Sequence, residues 1–393
     1  MEDRKNINAE IDNMASDPAE NTKEAPALTL SAAEHADDKE SQKSKKLPKQ
    51  RKRGWFFMRM AVFVIVMLMI LTYAMYVLTP KYAYGICSIM NYYNLPEDSV
   101  DVLLCGTSLT YTDVNTNILW SEYGIAAYNL ATAEQPYWST YYYLKEALKT
   151  QTPKLILLDA KASTYTETKV DRMRTVLCSY GLLNPISRIS CIWECTEVED
   201  FWGYLLAFPQ IHTNYYAVTE ESFTTPPTNV GRGNTWKGYI EKDAWAEHDA
   251  PNIVWSDKEA EINEHELEYL EKTLQLLSES GIETVLICYP NADYKHDHYY
   301  YNTASKLAES YGISTINYNL PEKNCILDYS TDCADWQHLN IGGSYKFSMQ
   351  LGQDLKDNFD LTDHRGDKAY SSYEECASIW YEKYPEYCPW KTY

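Results

Sequence analysis

Two short segments, far apart in the chain, carry residue types that do chemistry together. Asp101-Val-Leu-Leu-Cys-Gly-Thr-Ser108 reads as a buried strand ending in a small-residue turn that presents a serine. Asp335-Trp-Gln-His338 offers a carboxylate and an imidazole three residues apart. A neutral hydroxyl is a poor nucleophile until a base removes its proton, and the base needs a third group to fix its tautomer and stabilise its charged form. Ser108, His338 and Asp335, brought together, are equipped for acyl transfer. A serine at a strand-to-helix turn also serves as an N-cap, which is the competing reading of Ser108. Gly106 favours the nucleophile, because it permits close backbone approach in a tight turn.

Other chemistries fit less well. Position 110 is Thr, so the Gly-x-Ser-x-Gly elbow is absent, and neither a GxGxxG loop nor a phosphate-binding Gly-Lys-Ser/Thr occurs. Lys295-His296-Asp297-His298 holds two imidazoles, but no third ligand is indicated and the stretch reads as a solvated loop.

The elements that must position these residues alternate short apolar runs with helical patterns, which is the signature of a parallel sheet with crossover helices. Strands are expected at Val100–Cys105, Ala126–Leu130, Lys154–Asp159, Thr284–Tyr289 and Ser314–Tyr318, and helices at Asp113–Tyr123, Gln135–Thr150, Asp257–Ser280, Thr303–Tyr311 and Gly343–Asn358. The expected fold is α/β: a three-layer α/β/α sandwich on a five-stranded parallel sheet. Ligands of such sheets bind outside the carboxyl ends of the strands, where Gly106-Thr107-Ser108 falls. His338 lies in the loop before the last helix, at the same end.

Met60 to Leu78 is nineteen residues without a charge. At ~1.5 Å per residue it reaches roughly 28 Å, close to the ~30 Å hydrocarbon core of a bilayer. Seven basic residues lie between Lys43 and Arg53, against Lys81 alone beyond the apolar stretch. The positive-inside rule then places the N-terminus in the cytoplasm and the C-terminal domain outside, on a retained single-pass anchor at 54–79 in the cell membrane. Residues 1–53 have too few apolar side chains to offset ordering entropy and read as a disordered leader. Its eleven basic and eleven acidic residues cancel, so the net charge of −21 belongs to the rest of the chain. So acidic a domain excludes nucleic acid as a partner.

The domain is expected to span 80–360. Its alternation breaks over 161–256, a stretch holding Trp193, Trp202, Trp236, Trp245 and Trp255, too long for a plain loop and read as a structured insertion over the strand ends. The aromatic extension 361–393 should wrap back on the domain. Ten cysteines in an exported chain invite disulfides, with Cys191–Cys195, Cys325–Cys333 and Cys376–Cys388 as near pairs. Cys105 and Cys288 read as buried thiols.

Gly106-Thr107-Ser108 together with Asp335-Trp-Gln-His338 resembles the first and last blocks of the SGNH (GDSL-like) hydrolase superfamily. Tyr128-Asn-Leu-Ala-Thr-Ala-Glu-Gln135 resembles its second block, with Ala131 where members carry glycine. The third block, Gly-x-Asn-Asp, is not found; the third strand ends Leu158-Asp159-Ala160-Lys161. The resemblance covers roughly residues 98–160 and 282–358. It implies the flavodoxin-like SGNH fold, Ser108 as nucleophile, His338 as general base and Asp335 as its orienting carboxylate. It further implies an oxyanion hole from the backbone N–H groups of Ser108 and Ala131. Asn291, after the fourth strand, is a candidate substitute for the missing third-block asparagine, Asn129 is a second candidate for lining the site, and no metal or cofactor is expected.

One anchor with such a domain outside is similar to envelope proteins that handle acyl groups on polymers, including D-alanyl-lipoteichoic-acid transfer proteins and polysaccharide O-acetyltransferases. The implied function is a serine esterase or O-acyltransferase acting on a cell-envelope glycopolymer, with a multi-span membrane acyltransferase as partner. The alternative is a catalytically inactive carbohydrate-binding or accessory module on the same fold.

Overall fold

The computed structural model describes residues 49–79, 86–166, 179–206, 211–224, 236–251, 253, 255–292, 294–323 and 325–387. The expected leader lies outside them up to residue 48. By internal contacts the chain falls into two units, residues 1–61 and 62–393. The sheet and every candidate site residue belong to the second unit; α1 begins in the first.

In chain order the elements are α1 (Lys49–Leu78), α2 (Ile86–Tyr92), β1 (Val102–Gly106), α3 (Ser108–Asp113), α4 (Thr116–Tyr123), β2 (Ala127–Ala131) and α5 (Tyr137–Ala147). Then come β3 (Leu155–Asp159), α6 (Pro185–Cys195), α7 (Phe201–Leu206), α8 (Glu220–Thr224), α9 (Glu264–Ser280) and β4 (Glu283–Cys288). Last are α10 (Tyr294–Ser310), β5 (Ser314–Asn317), α11 (Ile341–Asn358) and α12 (Ser371–Lys383). α1 is long and apolar enough over Arg53–Leu78 to cross a membrane.

The five strands form one all-parallel sheet in the order β2-β1-β3-β4-β5. β1 to β3 are buried along their whole length, as strands covered on both faces must be, which fits the apolar runs Val102–Cys105 and Leu155–Leu158; Asn129 in β2 and Asp159 at the end of β3 are buried polar exceptions. Alternate residues face opposite ways. Leu103, Cys105, Tyr128, Leu130, Ile156, Leu158 and Leu286 join a core with Leu144 of α5, Leu270 and Leu274 of α9 and Ala304 of α10. Val102, Leu104, Leu155, Leu157, Val285 and Ile287 join a second core with Leu119 of α4 and Phe347 and Leu351 of α11. Burying a large apolar side chain contributes about 1.5–3 kcal/mol, so the two faces together hold the sheet in place.

Helix boundaries differ from expectation where caps decide them. The helix expected at Asp113–Tyr123 begins at Thr116, and the short, unexpected α3 ends at Asp113. Asn115 stands between the two, its side chain accepting from the Asn117 N–H at 3.0 Å and its own N–H donating to Ser348 Oγ at 2.7 Å. α9 starts late, at Glu264, because Asn263 caps it through the His265 N–H, and Gly281 closes it at φ 69°. Cys191, Cys195, Cys325 and Cys333 are reduced thiols, so neither of those near pairs is bridged; Cys376 is also a thiol, and Cys388 lies outside the described residues. The extension does wrap back: Trp380 of α12 is fully buried with Ile118, Trp236, Tyr239 and Ile341.

Candidate active site

β1 stands where the strand order reverses, with β2 on one side and β3 to β5 on the other. At such a switch point the loops from the carboxyl ends of neighbouring strands diverge and leave a crevice. Ser108 follows β1 directly and begins α3. Its neighbour Thr107 is the N-cap, its hydroxyl accepting from the Leu109 N–H at 3.3 Å. The capping duty therefore falls on Thr107 and the Ser108 hydroxyl is left for another partner.

That partner is His338. Its Nε2 lies 2.7 Å from Ser108 Oγ, across 230 residues of sequence. Its Nδ1 lies 2.8 and 2.9 Å from the two oxygens of Asp335. The spacing Asp-x-x-His has a local cause. Asp335 Oδ1 accepts from the N–H groups of Gln337 and His338, each at 2.9 Å, and this tight turn folds the imidazole back over its own carboxylate. With Nδ1–H donating to Asp335, Nε2 presents its lone pair to the serine hydroxyl, the tautomer a general base requires.

Two buried carboxylates brace the site, and the sequence reading assigned neither. Asp159, at the end of β3, accepts from the Thr107 N–H at 3.0 Å, the Thr107 hydroxyl at 2.6 Å and the Lys161 N–H at 2.8 Å. Burial pushes its pKa up while these donors oppose the shift. A Cβ on Gly106 would fall 2.1 Å from the Cβ of Asp159, which accounts for glycine at that position. Asp113, at the end of α3, is fully buried and accepts from the Leu339 N–H at 3.0 Å and the Thr112 hydroxyl at 2.8 Å. Burial holds its pKa well above the usual carboxylate range.

Lys242 is the other residue missed. It belongs to a strap, residues 236–250, that runs from the outer edge of β2 to the Asp335 turn. Along the way the Asn129 N–H donates to the Lys237 carbonyl at 3.0 Å, the Ile240 N–H to the Tyr111 carbonyl at 2.8 Å, and the Ala246 N–H to the Cys333 carbonyl at 3.0 Å. Lys242 Nζ lies 2.7 Å from Asp335 Oδ2 and 2.9 Å from His338 Nδ1. An ammonium only donates, so it matches the carboxylate and faces the protonated Nδ1 as a like group. Burial tends to raise the Asp335 pKa, but hydrogen bonds from His338 and Lys242 outweigh it and hold the carboxyl far below its usual range. A lone lysine in a tryptophan-rich stretch carries no pattern that points to a partner 93 residues later.

Ala131 ends β2 opposite Gly106 in the register and is not among the residues with positive φ. Asn129 does not line the site; it is fully buried, and its Nδ2 donates to the Val114 carbonyl at 2.8 Å. Asn291 is buried beyond β4, its N–H donating to Asn319 Oδ1 at 3.1 Å, and its side-chain amide engages neither Ser108 nor His338. At the position of the missing third block, Lys161 is tied to Asp297 of α10 at 2.5 Å. His298 is buried against the rings of Tyr294 and Tyr299, while the side chains of Lys295 and His296 lie outside the described residues. Among the described residues no group of His, Cys, Asp and Glu is placed to hold a metal ion.

Lys242 also lines a groove of about 760 Å³ together with Trp245, Asp332, Tyr345, Tyr384 and Tyr387. The C-terminal extension thus supplies part of a wall beside the Asp335 turn, and Trp245 is 63% exposed in it. Compared with known proteins, the chain matches no family model and no curated protein.

Proposed function

We propose that the protein is a membrane-anchored serine acyl hydrolase or O-acyltransferase of the SGNH type. The observation that carries this reading is the continuous line of hydrogen-bonding contacts from Ser108 Oγ through His338 to Asp335. Helices on both faces of a parallel sheet in the order 2-1-3-4-5 support the three-layer α/β/α, flavodoxin-like arrangement expected of that superfamily.

In this mechanism Ser108 Oγ attacks the acyl carbonyl carbon as His338 Nε2 takes its proton. The N–H groups of Ser108 and Ala131 stabilise the oxyanion. Collapse expels the alcohol, which receives the proton from His338, and leaves an acyl group on Ser108. Water or a sugar hydroxyl, deprotonated by the same imidazole, then attacks the acyl carbon, and Ser108 Oγ leaves as a hydroxyl with the proton returned from His338. The oxyanion hole has no asparagine from the end of β3, and one such donor is typically worth ~10²–10³ in rate, so a slow enzyme is expected.

The aromatic groove beside the Asp335 turn suits the faces of sugar rings, and we read the substrate as an acylated glycopolymer of the cell envelope. α1 is read as a signal anchor with the N-terminus in the cytoplasm and the domain outside, where a multi-span acyltransferase in the same membrane is a fitting partner. The lack of the β3 asparagine also favours a second reading, a non-catalytic carbohydrate-binding module. A fluorophosphonate probe on the full chain decides between them. Labelling of Ser108, lost in Ser108→Ala, supports the enzyme, and absence of labelling in folded protein supports the module.

A further inference from the structure

The last two turns of α1 are not free. Upstream residues of its apolar stretch are open, Phe63 at 62% and Ile70 at 65%, whereas Val77 is buried. Met75 and Leu78 pack on Met90, Tyr180, Ile192, Tyr204 and Ile211, and Asn214 Nδ2 donates to the Leu78 carbonyl at 3.2 Å. The segment around α6 and α7 therefore grips the C-terminal end of α1.

That segment is apolar on its outer side as well. α6 turns Ser187, Cys191, Ile192 and Cys195 inward, yet exposes Ile186, Ile189 and Trp193 at helical spacing on the opposite face. α7 adds Trp202 and Leu206, one turn apart, with Trp202 66% exposed and Trp193 54% exposed. A soluble surface rarely leaves so many large apolar side chains together in water.

Building on the membrane-spanning reading of α1, we infer that the outer face of α6 and α7 rests in the outer interface of the bilayer that α1 crosses. Nineteen residues at ~1.5 Å each only just match the ~30 Å core, so Met75 and Leu78 lie at its outer boundary. Whatever packs around them lies at that depth, and tryptophans are the side chains best suited to it. Glu197, Glu199 and Asp200 follow α6, so attraction to anionic lipid is not what holds this face down; apolar insertion is. The bilayer would then set the attitude of the domain, through two contacts in place of one.

The test uses the full chain in phosphatidylcholine vesicles, with and without bromine at carbons 6 and 7 of the acyl chain. The expected result is that bromolipid quenches tryptophan emission and that Trp193→Phe/Trp202→Phe removes most of the quenched part, unchanged in high salt. Residual quenching belongs to Trp55, and Trp55→Phe removes it independently. If Trp55 is quenched but the emission lost with Trp193 and Trp202 is not, α1 spans the bilayer and the lipid contact is wrong, leaving that face to a protein partner. If the chain fails to float with vesicles after alkaline extraction, the anchor itself is wrong and this inference falls with it.

Discussion

The backbone N–H of Leu339 donates to Asp113 Oδ1 at 3.0 Å, joining the residue after His338 to the last residue of the helix that Ser108 begins. Ser108 and His338 thus share a buried brace besides their own contact. Asp113→Ala leaves the Leu339 N–H without its acceptor, while the Thr112 hydroxyl keeps the Ser108 carbonyl at 2.8 Å, and is expected to cost about 1–3 kcal/mol. It should also slow fluorophosphonate labelling of Ser108 in protein that remains folded. Urea unfolding and labelling rate, measured side by side, check both. An unchanged labelling rate would make Asp113 a packing residue only.

Asp113→Asn keeps the Oδ1 acceptor and bears on pH. Asp113 and Glu266 both have folded-state pKa values raised by burial, Glu266 to about 8 with only the Tyr137 N–H opposing the shift. A raised pKa means that the folded state holds the proton more tightly, so this stabilisation is complete below the ordinary carboxylate range and is lost as pH rises. For Glu266 the loss runs from about pH 4.5 to about pH 8. Glu266→Gln should flatten the fall in urea midpoint between pH 5 and pH 9, and Asp113→Asn should flatten it further. Wild-type slopes in both variants would refute the assignment.

Ser108→Ala should leave the unfolding midpoint near wild type, because Thr107 caps α3, while ester turnover drops by at least ~10³-fold. Steady-state hydrolysis of a simple aryl ester reports this. Turnover persisting in the variant would remove the triad mechanism.

Lys242→Met tests the ammonium 2.9 Å from His338 Nδ1. Lys242 shares the Asp335 carboxylate with His338 and draws it away from the imidazole, although Lys242 is about one-third exposed and solvent screens the effect. Labelling of Ser108 is expected to accelerate roughly three- to tenfold in this variant. Slower labelling would instead assign Lys242 to holding Asp335 in position.

Gly106→Ala puts a methyl group 2.1 Å from the Cβ of Asp159 and is expected to destabilise the fold by about 1–3 kcal/mol, read from thermal or urea unfolding. Trp245→Ala, at an exposed position in the groove, should raise KM for an acylated oligosaccharide and leave aryl-ester turnover unchanged.

Residues buried on both faces announced themselves. The sheet was legible because Val102 to Cys105 and Leu155 to Leu158 are unbroken apolar runs, and the Asp335 turn because its spacing is set by bonds within four residues. What stayed hidden depends on distant parts of the chain. Lys242 acquires meaning only when the strap crosses to the Asp335 turn, and Asp113 only when Leu339 arrives beside it. Asp159 did leave a trace, an acid closing an apolar run, but its role depends on Thr107 from the neighbouring strand. The start of α10 at Tyr294, well before the expected Thr303, was obscured by the aromatic run Tyr299–Tyr301, which blurs the helical period.

The 230-residue separation between Ser108 and His338 has a bearing on the life of the protein as well as on its geometry. Chains are synthesised at about 5–20 residues per second, so the serine emerges roughly ten to fifty seconds before its base exists. During that interval, and in any fragment ending short of residue 338, the hydroxyl has no partner to activate it. Under the proposed mechanism an emerging chain would be inert toward esters, and activity would begin only when nearly all of the domain has been made.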